Sequence, residues 1–332
     1  MNKRPFQDEP AVGSPLSALS PLPLAVRAGA NANDIAPRDA GPHPRPSPGG
    51  RGEKIAALIA GRLATSLRIG LSPSTLCVVR SRGWLHASRD VLADRMLGAA
   101  TPDQALLGLR GVLDDAGLAG QPATVVLGND WGRLFMVVPP RNAESRRDCE
   151  AAAHLRFQQL YGEPPQDWTV RADWNARRPF LACAMPTELL DGLRRACADH
   201  RLGLLAVRPQ FVAAWNRWGR TLREGDWFGT VDAHALTLGL VERGSLTEVR
   251  RLLLTDSARA DTAWPATQCT REALRQAVPA PQRLCLCGPV PPVWLAGEHC
   301  VQLDGTGSAA GPGNVIGQPS PGTALALTGA RA

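Results

Sequence analysis

Two short polar turns carry the residues of this 332-residue chain whose types and spacing suit chemistry on an anion. The first is Gly70-Leu71-Ser72-Pro73-Ser74-Thr75, and the second is Asp232-Ala233-His234-Ala235-Leu236-Thr237. Each leads into an apolar run of β type and then into Arg-Gly-x-Leu, at Arg82-Gly83-Trp84-Leu85 and at Arg243-Gly244-Ser245-Leu246. The second Arg-Gly comes 161 residues after the first, so 70–85 and 231–246 read as one β-hairpin written twice. In such turns backbone N–H groups can approach a phosphate, hydroxyls can donate to it, and an acid can hold Mg²⁺ through water. Ser72, Ser74, Thr75, Asp232 and Thr237 are the side chains placed for that role. Asp232 and His234 could also share one face of a strand as an acid/base pair, although solvated turn residues are the commoner outcome for this spacing.

Composition removes other chemistries. Lysine occurs only at Lys3 and Lys54. A P-loop and a lysine Schiff base are therefore absent from everything after residue 54. The formal net charge is +7, but the basic residues are dispersed and no DNA- or RNA-binding module is present. A weakly basic surface suits a protein partner or an anionic membrane face. The eight cysteines sit mostly in apolar runs, as small hydrophobes do. Cys285 and Cys287 lack further ligands at zinc spacing, so buried thiols in a reducing compartment are expected. No signal peptide or membrane span is read; the best candidate, 54–71, carries Lys54, Arg62 and Arg68.

The elements that must position the two turns follow from pattern and punctuation. Residues 1–53 hold ten of the 29 prolines and are expected to be disordered. A short helix is expected over 54–65. Thr101-Pro102-Asp103-Gln104 opens a helix that stops near Gly117. Strands at 123–127 and 134–138 precede a helix over about 142–160 with Cys149, Ala153, Phe157 and Leu160 inward. Strands are expected at 167–174, 180–184, 204–208 and 283–287, and helices at 187–201, 209–218 and 270–278. The glycines at 305, 307, 311, 313 and 317 read as a linker. Alternating strands and helices give an α/β chain.

This order resembles the degenerate actin-like proteins of type IV pilus and type II secretion assembly, the PilM and MshI type and the cytoplasmic domain of GspL. The hairpin at 69–85, the strand pair ending Val137-Val138-Pro139-Pro140 and the helix after it carry the resemblance. So do Leu204-Leu205-Ala206-Val207-Arg208-Pro209, the second hairpin at 231–250, Leu286-Cys287-Gly288 and the closing Gly322-Thr323-Ala324-Leu325-Ala326-Leu327. It covers roughly residues 66–328. It implies an actin-like (ribonuclease H-like) duplicated fold, with 54–208 as a first lobe bearing an inserted subdomain and 209–332 as a second. It also implies a vestigial nucleotide pocket at Ser72, Ser74, Thr75, Asp232, Thr237 and Gly288. Leu71 stands where the family has an acid, Pro73 removes a donor, the second turn lacks glycine, and Pro289 follows Gly288.

The implied function is a non-catalytic cytoplasmic scaffold without a cofactor. It would dock the cytoplasmic tail of a PilN-type single-span inner-membrane protein, with Trp131, Trp215 and Trp218 as candidates for the groove, although Phe211, Trp215 and Trp218 at spacings of four and three on one helix face read first as core packing. The alternative is an ATP- and Mg²⁺-binding switch or kinase of the actin/sugar-kinase superfamily.

Overall fold

The computed structural model describes residues 65–82, 88–98, 101–116, 118–304 and 319–330. The N-terminal segment, the helix expected from Lys54, the Gly83-Trp84-Leu85 part of the first repeat motif, Gly117 and the glycines at 305–317 lie outside these residues.

The first lobe opens with strands β1 (Thr65–Leu71), β2 (Thr75–Arg82) and β3 (Ser88–Met96), then helix α1 (Pro102–Ala116) and strand β4 (Pro122–Leu127). Strand β5 (Arg133–Val137), helix α2 (Arg146–Tyr161) and strands β6 (Trp168–Ala172) and β7 (Phe180–Pro186) form an insertion. Helix α3 (Thr187–Asp199) and strand β8 (Gly203–Pro209) return to the first lobe, and helix α4 (Gln210–Trp218) leaves it. Strands β9 (Asp226–Val231), β10 (Ala235–Glu242) and β11 (Ser245–Leu253) follow, then helices α5 (Asp256–Ala260) and α6 (Trp264–Gln276) and strand β12 (Arg283–Cys287). Helix α7 (Pro292–Leu295), strand β13 (Cys300–Gln302) and helix α8 (Pro321–Leu327) complete the described chain.

The first sheet has the order β3-β2-β1-β4-β8 and the second the order β11-β10-β9-β12-β13. In both, an antiparallel three-strand meander is extended by two parallel strands. The same order with the same directions, twice in one chain, is the duplicated actin-like fold. Local signals explain the elements. Thr101 accepts the Gln104 N–H at the start of α1. Ser145 and Asp148 form a reciprocal capping box that starts α2 at Arg146 rather than at 142. On α2, Cys149, Ala153 and Phe157 face inward as expected, whereas Leu160 is exposed. Helix α6 begins six residues before the expected start, with Pro265 in its first turn. Strand β3 was not anticipated, although its counterpart β11 was.

Four large cores hold the layers, and two small ones seat α8 on the first sheet. The first sheet packs on α1 and α3 through Leu67, Ile69, Leu109 and Leu193. The second packs on α6 and α7 through Leu238, Leu286, Ala273 and Trp294. The insertion has its own core of Phe135, Phe157 and Phe180 under α2. The opposite face of its sheet offers Met136 and Leu181 to Phe211, Phe228 and Val249 of the second lobe. The insertion therefore bridges the lobes.

Two helices are exchanged between lobes. Helix α4 follows the first sheet but stacks Phe211 edge-on to Phe228 of the second, with centroids 5.4 Å apart. Helix α8, within the span assigned by sequence to the second lobe, lies across β1 and β2. Arg68 clamps its end, donating to the carbonyls of Ala326 (2.7 Å) and Thr328 (2.6 Å), a fit for a cation at a helix C-terminus. Burial, with Arg208 and Arg89 nearby, pulls Arg68 down to about 10. At the start of α8, Asp94 accepts from Ser320 and Thr323. Gly70 allows this approach, because a Cβ there would stand 2.6 Å from the Ala326 nitrogen and 2.9 Å from the Gly322 oxygen. Gly70→Ala is expected to lower stability in urea unfolding by about 1–3 kcal/mol. An unchanged midpoint would mean that α8 is not held against β1.

Candidate functional site

The two turns have the same construction. In the first, the Ser72 N–H donates to the Thr75 carbonyl, and Ser72 Oγ accepts from the backbone N–H groups of Ser74 and Thr75. In the second, the Asp232 N–H donates to the Ala235 carbonyl, and Asp232 Oδ1 accepts from His234 (2.8 Å) and Ala235 (2.7 Å). The third strand seals each turn: Leu97 N–H donates to Ser74 O, and Leu254 N–H to His234 O. Ser72 and Asp232 are thus equivalent, 160 residues apart, as are Gly128 and Gly288 at the ends of β4 and β12. The resemblance set Leu71 at the place of the acid, a placement that the 161-residue Arg-Gly spacing also gives. That placement is corrected: Leu71 is fully buried in the first core, and Ser72 takes the position of the acid.

Ser72, Ser74, Thr75 and Asp232 line one cavity with Gly128, Asp130, Gln210 and Pro289, and α8 adds Pro321 and Leu325. The cavity is about 30 Å³, room for about two waters. Thr237 is buried along β10 and does not line it. Gly288, with φ +97°, crosses the end of β9 so closely that a Cβ would stand 2.3 Å from the Val231 oxygen. Its N–H donates to Asp304.

Between the turns the lobes are joined by a buried network. Asn129, directly after β4, donates from Nδ2 to Thr230 Oγ1 (3.1 Å) and Gln210 Oε1 (3.4 Å) and accepts the Phe211 N–H at Oδ1 (3.2 Å). Gln210 donates in turn to the Val231 carbonyl (3.2 Å). Asn129, Gln210 and Thr230 are all buried. At the rim Arg251 pairs with Asp130, and Arg259 donates to the Asp232 and Ala233 carbonyls. Sequence reasoning passed over Asn129 and Gln210; the polar run Gly128-Asn129-Asp130 at a strand end was the available signal. Burial pushes the Asp232 carboxyl up, and the negative charge of Asp130 adds to the rise. His234 is exposed and meets Asp232 through its backbone, so the two act as turn residues rather than as an acid/base pair.

The three tryptophans do not form a groove. Trp131 is buried in the first core. Trp215 packs edge-on to Phe228 at 5.5 Å, and Trp218 lies against the same cluster. A groove of about 780 Å³ opens elsewhere, between α2, the chain after β5 and β11. Its walls are Met136, Val138, Pro140, Ala151, Leu155 and Thr247, with Arg156 and Glu248 among the charged groups. All eight cysteines are buried and unbridged. Burial pushes Cys183 and Cys269 up to about 12.

No family model and no curated protein matches the chain. Among solved structures it is similar to a Bacteroides thetaiotaomicron protein with an actin-like ATPase fold and unknown function, at 12% identity over 69% of this chain and 84% of that one, TM-score 0.49. It is also similar to the cytoplasmic domain of EpsL, an inner-membrane component of the type II secretion system of Vibrio cholerae, at 12% identity over 80% and 94%, TM-score 0.48. The PilM–PilN type IV pilus biogenesis complex matches at 15% identity over 70% and 83%, TM-score 0.48.

Asn129→Ala strands three buried polar partners and is expected to cost about 1–3 kcal/mol or more in urea unfolding; a neutral effect would remove the network as a constraint. Because the folded Asp232 carboxyl holds its proton above the unfolded value, its charged form costs stability once the pH exceeds that value. Asp232→Asn keeps the Oδ1 acceptor. It should melt above wild type at pH 7, with the gain gone below about pH 3.9. A lower melting point than wild type at pH 7 would contradict this placement.

Proposed function

We propose that the chain is a non-catalytic scaffold in type IV pilus or type II secretion assembly. It sits at the cytoplasmic side of the inner membrane through a PilN-type single-span partner, whose cytoplasmic tail docks on it. The observation that carries this reading is a contrast of volumes. The turns that would grip a nucleotide enclose about 30 Å³, far below the roughly 300–1,000 Å³ of small-molecule sites. The groove between insertion and second lobe has about 780 Å³ and apolar walls.

A triphosphate with Mg²⁺ does not fit the residues present. Ser72 replaces the first acid, Pro73 removes a backbone donor, and Gln210, Pro289, Pro321 and Leu325 crowd the space between the turns. Among the described residues no helix is long and apolar enough to cross a membrane, so membrane attachment in this reading is through the partner. The motif order that resembles the PilM and MshI type supplies the choice of machine.

A thermal-shift titration of the full chain with millimolar ATP and Mg²⁺ tests the reading. No displacement of the midpoint is expected. A nucleotide bound 100-fold tighter than its concentration would add about 2.7 kcal/mol, a shift of several degrees. A Mg²⁺-dependent rise of that size would put the switch or kinase in first place.

A further inference from the structure

We propose that the Arg251 guanidinium is the resident counter-ion of the cleft, holding beside Asp130 and Asp232 the charge position that a divalent cation would otherwise fill. The proposal rests on the non-catalytic reading above and names the group that closes the cleft to metal.

Strand β11 aims Arg251 at the cleft. Successive residues of a strand face opposite ways. Arg250 turns toward α6 and pairs with Glu272. Val249 packs into the cluster that joins the insertion to the second lobe, and Arg251, two residues on, shares its face. From there Arg251 Nη2 reaches Asp130 Oδ1 just after β4, an ion pair that crosses from the second lobe to the first.

The other half of the repeat carries an acid at the same place. Asp94 opposes Cys77 on β2 as Arg251 opposes Thr237 on β10. Each also stands three residues before the leucine, Leu97 or Leu254, whose N–H seals the turn. Asp94 holds the start of α8, accepting from Ser320 and Thr323. One duplicated position thus supplies a charge of each sign to the elements that close the cleft.

The two carboxylates call for a cation. Asp130 and Asp232 line the same cavity of about 30 Å³. Asp232 uses Oδ1 on the His234 and Ala235 N–H groups, while its Oδ2 is buried with no hydrogen-bond partner among the described residues. Arg251 bonds Asp130 and acts on Asp232 through space: Asp130 disfavours the charge on Asp232 and Arg251 favours it. Two acids that share a site withdrawn from water stay charged only beside a cation. A guanidinium with its fixed fork of donors is a cation at every working pH. A divalent ion, which takes carboxylate oxygens and water, would have to displace it.

The test is Mn²⁺ binding to the full chain without nucleotide, followed through the electron paramagnetic resonance signal of the free ion. Arg251→Met and Arg251→Gln remove the charge and keep an unbranched stem at a partly exposed strand position, and Arg251→Lys keeps the charge. Circular dichroism checks that each is folded, and either neutral variant suffices. Wild type and Arg251→Lys should leave Mn²⁺ free. The neutral variant should bind one Mn²⁺ per chain at least about tenfold more tightly than wild type, and its melting point should rise with Mn²⁺ where that of wild type does not. Asp130→Asn added to the neutral variant should abolish the gain. Equal binding by wild type and the neutral variant, no gain in either neutral variant, or a gain that survives Asp130→Asn would overturn the proposal. Nucleotide is absent throughout, so a failure here is distinct from a failure of the non-catalytic reading, which the ATP titration measures.

Discussion

Asn129 sits where the first lobe, the insertion and the second lobe meet, and its buried carboxamide reaches across to β9 and α4. Its backbone ends β4 and leads into β5, while its side chain bonds Thr230 of β9 and the first turn of α4. A buried amide left unpaired costs far more than a made hydrogen bond returns, so the lobes are held at one separation. That separation determines what the two turns can do. Held at this distance, with α8 delivering Pro321 and Leu325 to the same space, they face each other across a cavity fit for water.

The two halves retain a common turn geometry while the side chain that builds it has changed. A serine hydroxyl in one half and an aspartate carboxylate in the other accept the same backbone N–H groups. Either oxygen can organise such a turn; only the carboxylate brings a charge, and that charge is buried at a cost. The exchanged helices add to the closure. Phe211 of α4 and the Arg68 clamp on α8 tie each lobe to an element supplied by the other.

The duplication was legible because a hairpin declares itself locally, through a polar turn between apolar runs and the Arg-Gly that follows. Its register was not. Arg82 is the last residue of β2, whereas Arg243 lies one residue past the end of β10, in the turn before β11, so the Arg-Gly spacing runs one residue longer than the spacing of the turns. Hence Leu71 was set against the acid, although Ser72 holds that place. The aromatic spacing on α4 was legible as core packing, and Trp215 and Trp218 do lie against Phe228 and Phe211; only their candidacy for a groove falls away. Strand β3, with Arg89, Asp90, Asp94 and Arg95 on an outer edge, lacks the apolar alternation that marks a strand. The Asn129 network and the groove join residues over a hundred positions apart, so no local pattern announces them.

The closed cleft and the open groove are built from shared parts. The segment from Asn129 through β5 reaches from one to the other, and β11 carries Arg251 at the cleft and Glu248 at the groove. The central claim is that the lobes stand locked whether or not nucleotide is offered. It is tested most directly by spin labels on Leu107→Cys in α1 and Leu274→Cys in α6, both exposed sites on different lobes. The native cysteines are buried and would not compete for label. The account predicts one narrow distance distribution by pulsed dipolar spectroscopy, identical with and without ATP and Mg²⁺. A broad distribution, or one that moves when nucleotide is added, would contradict it.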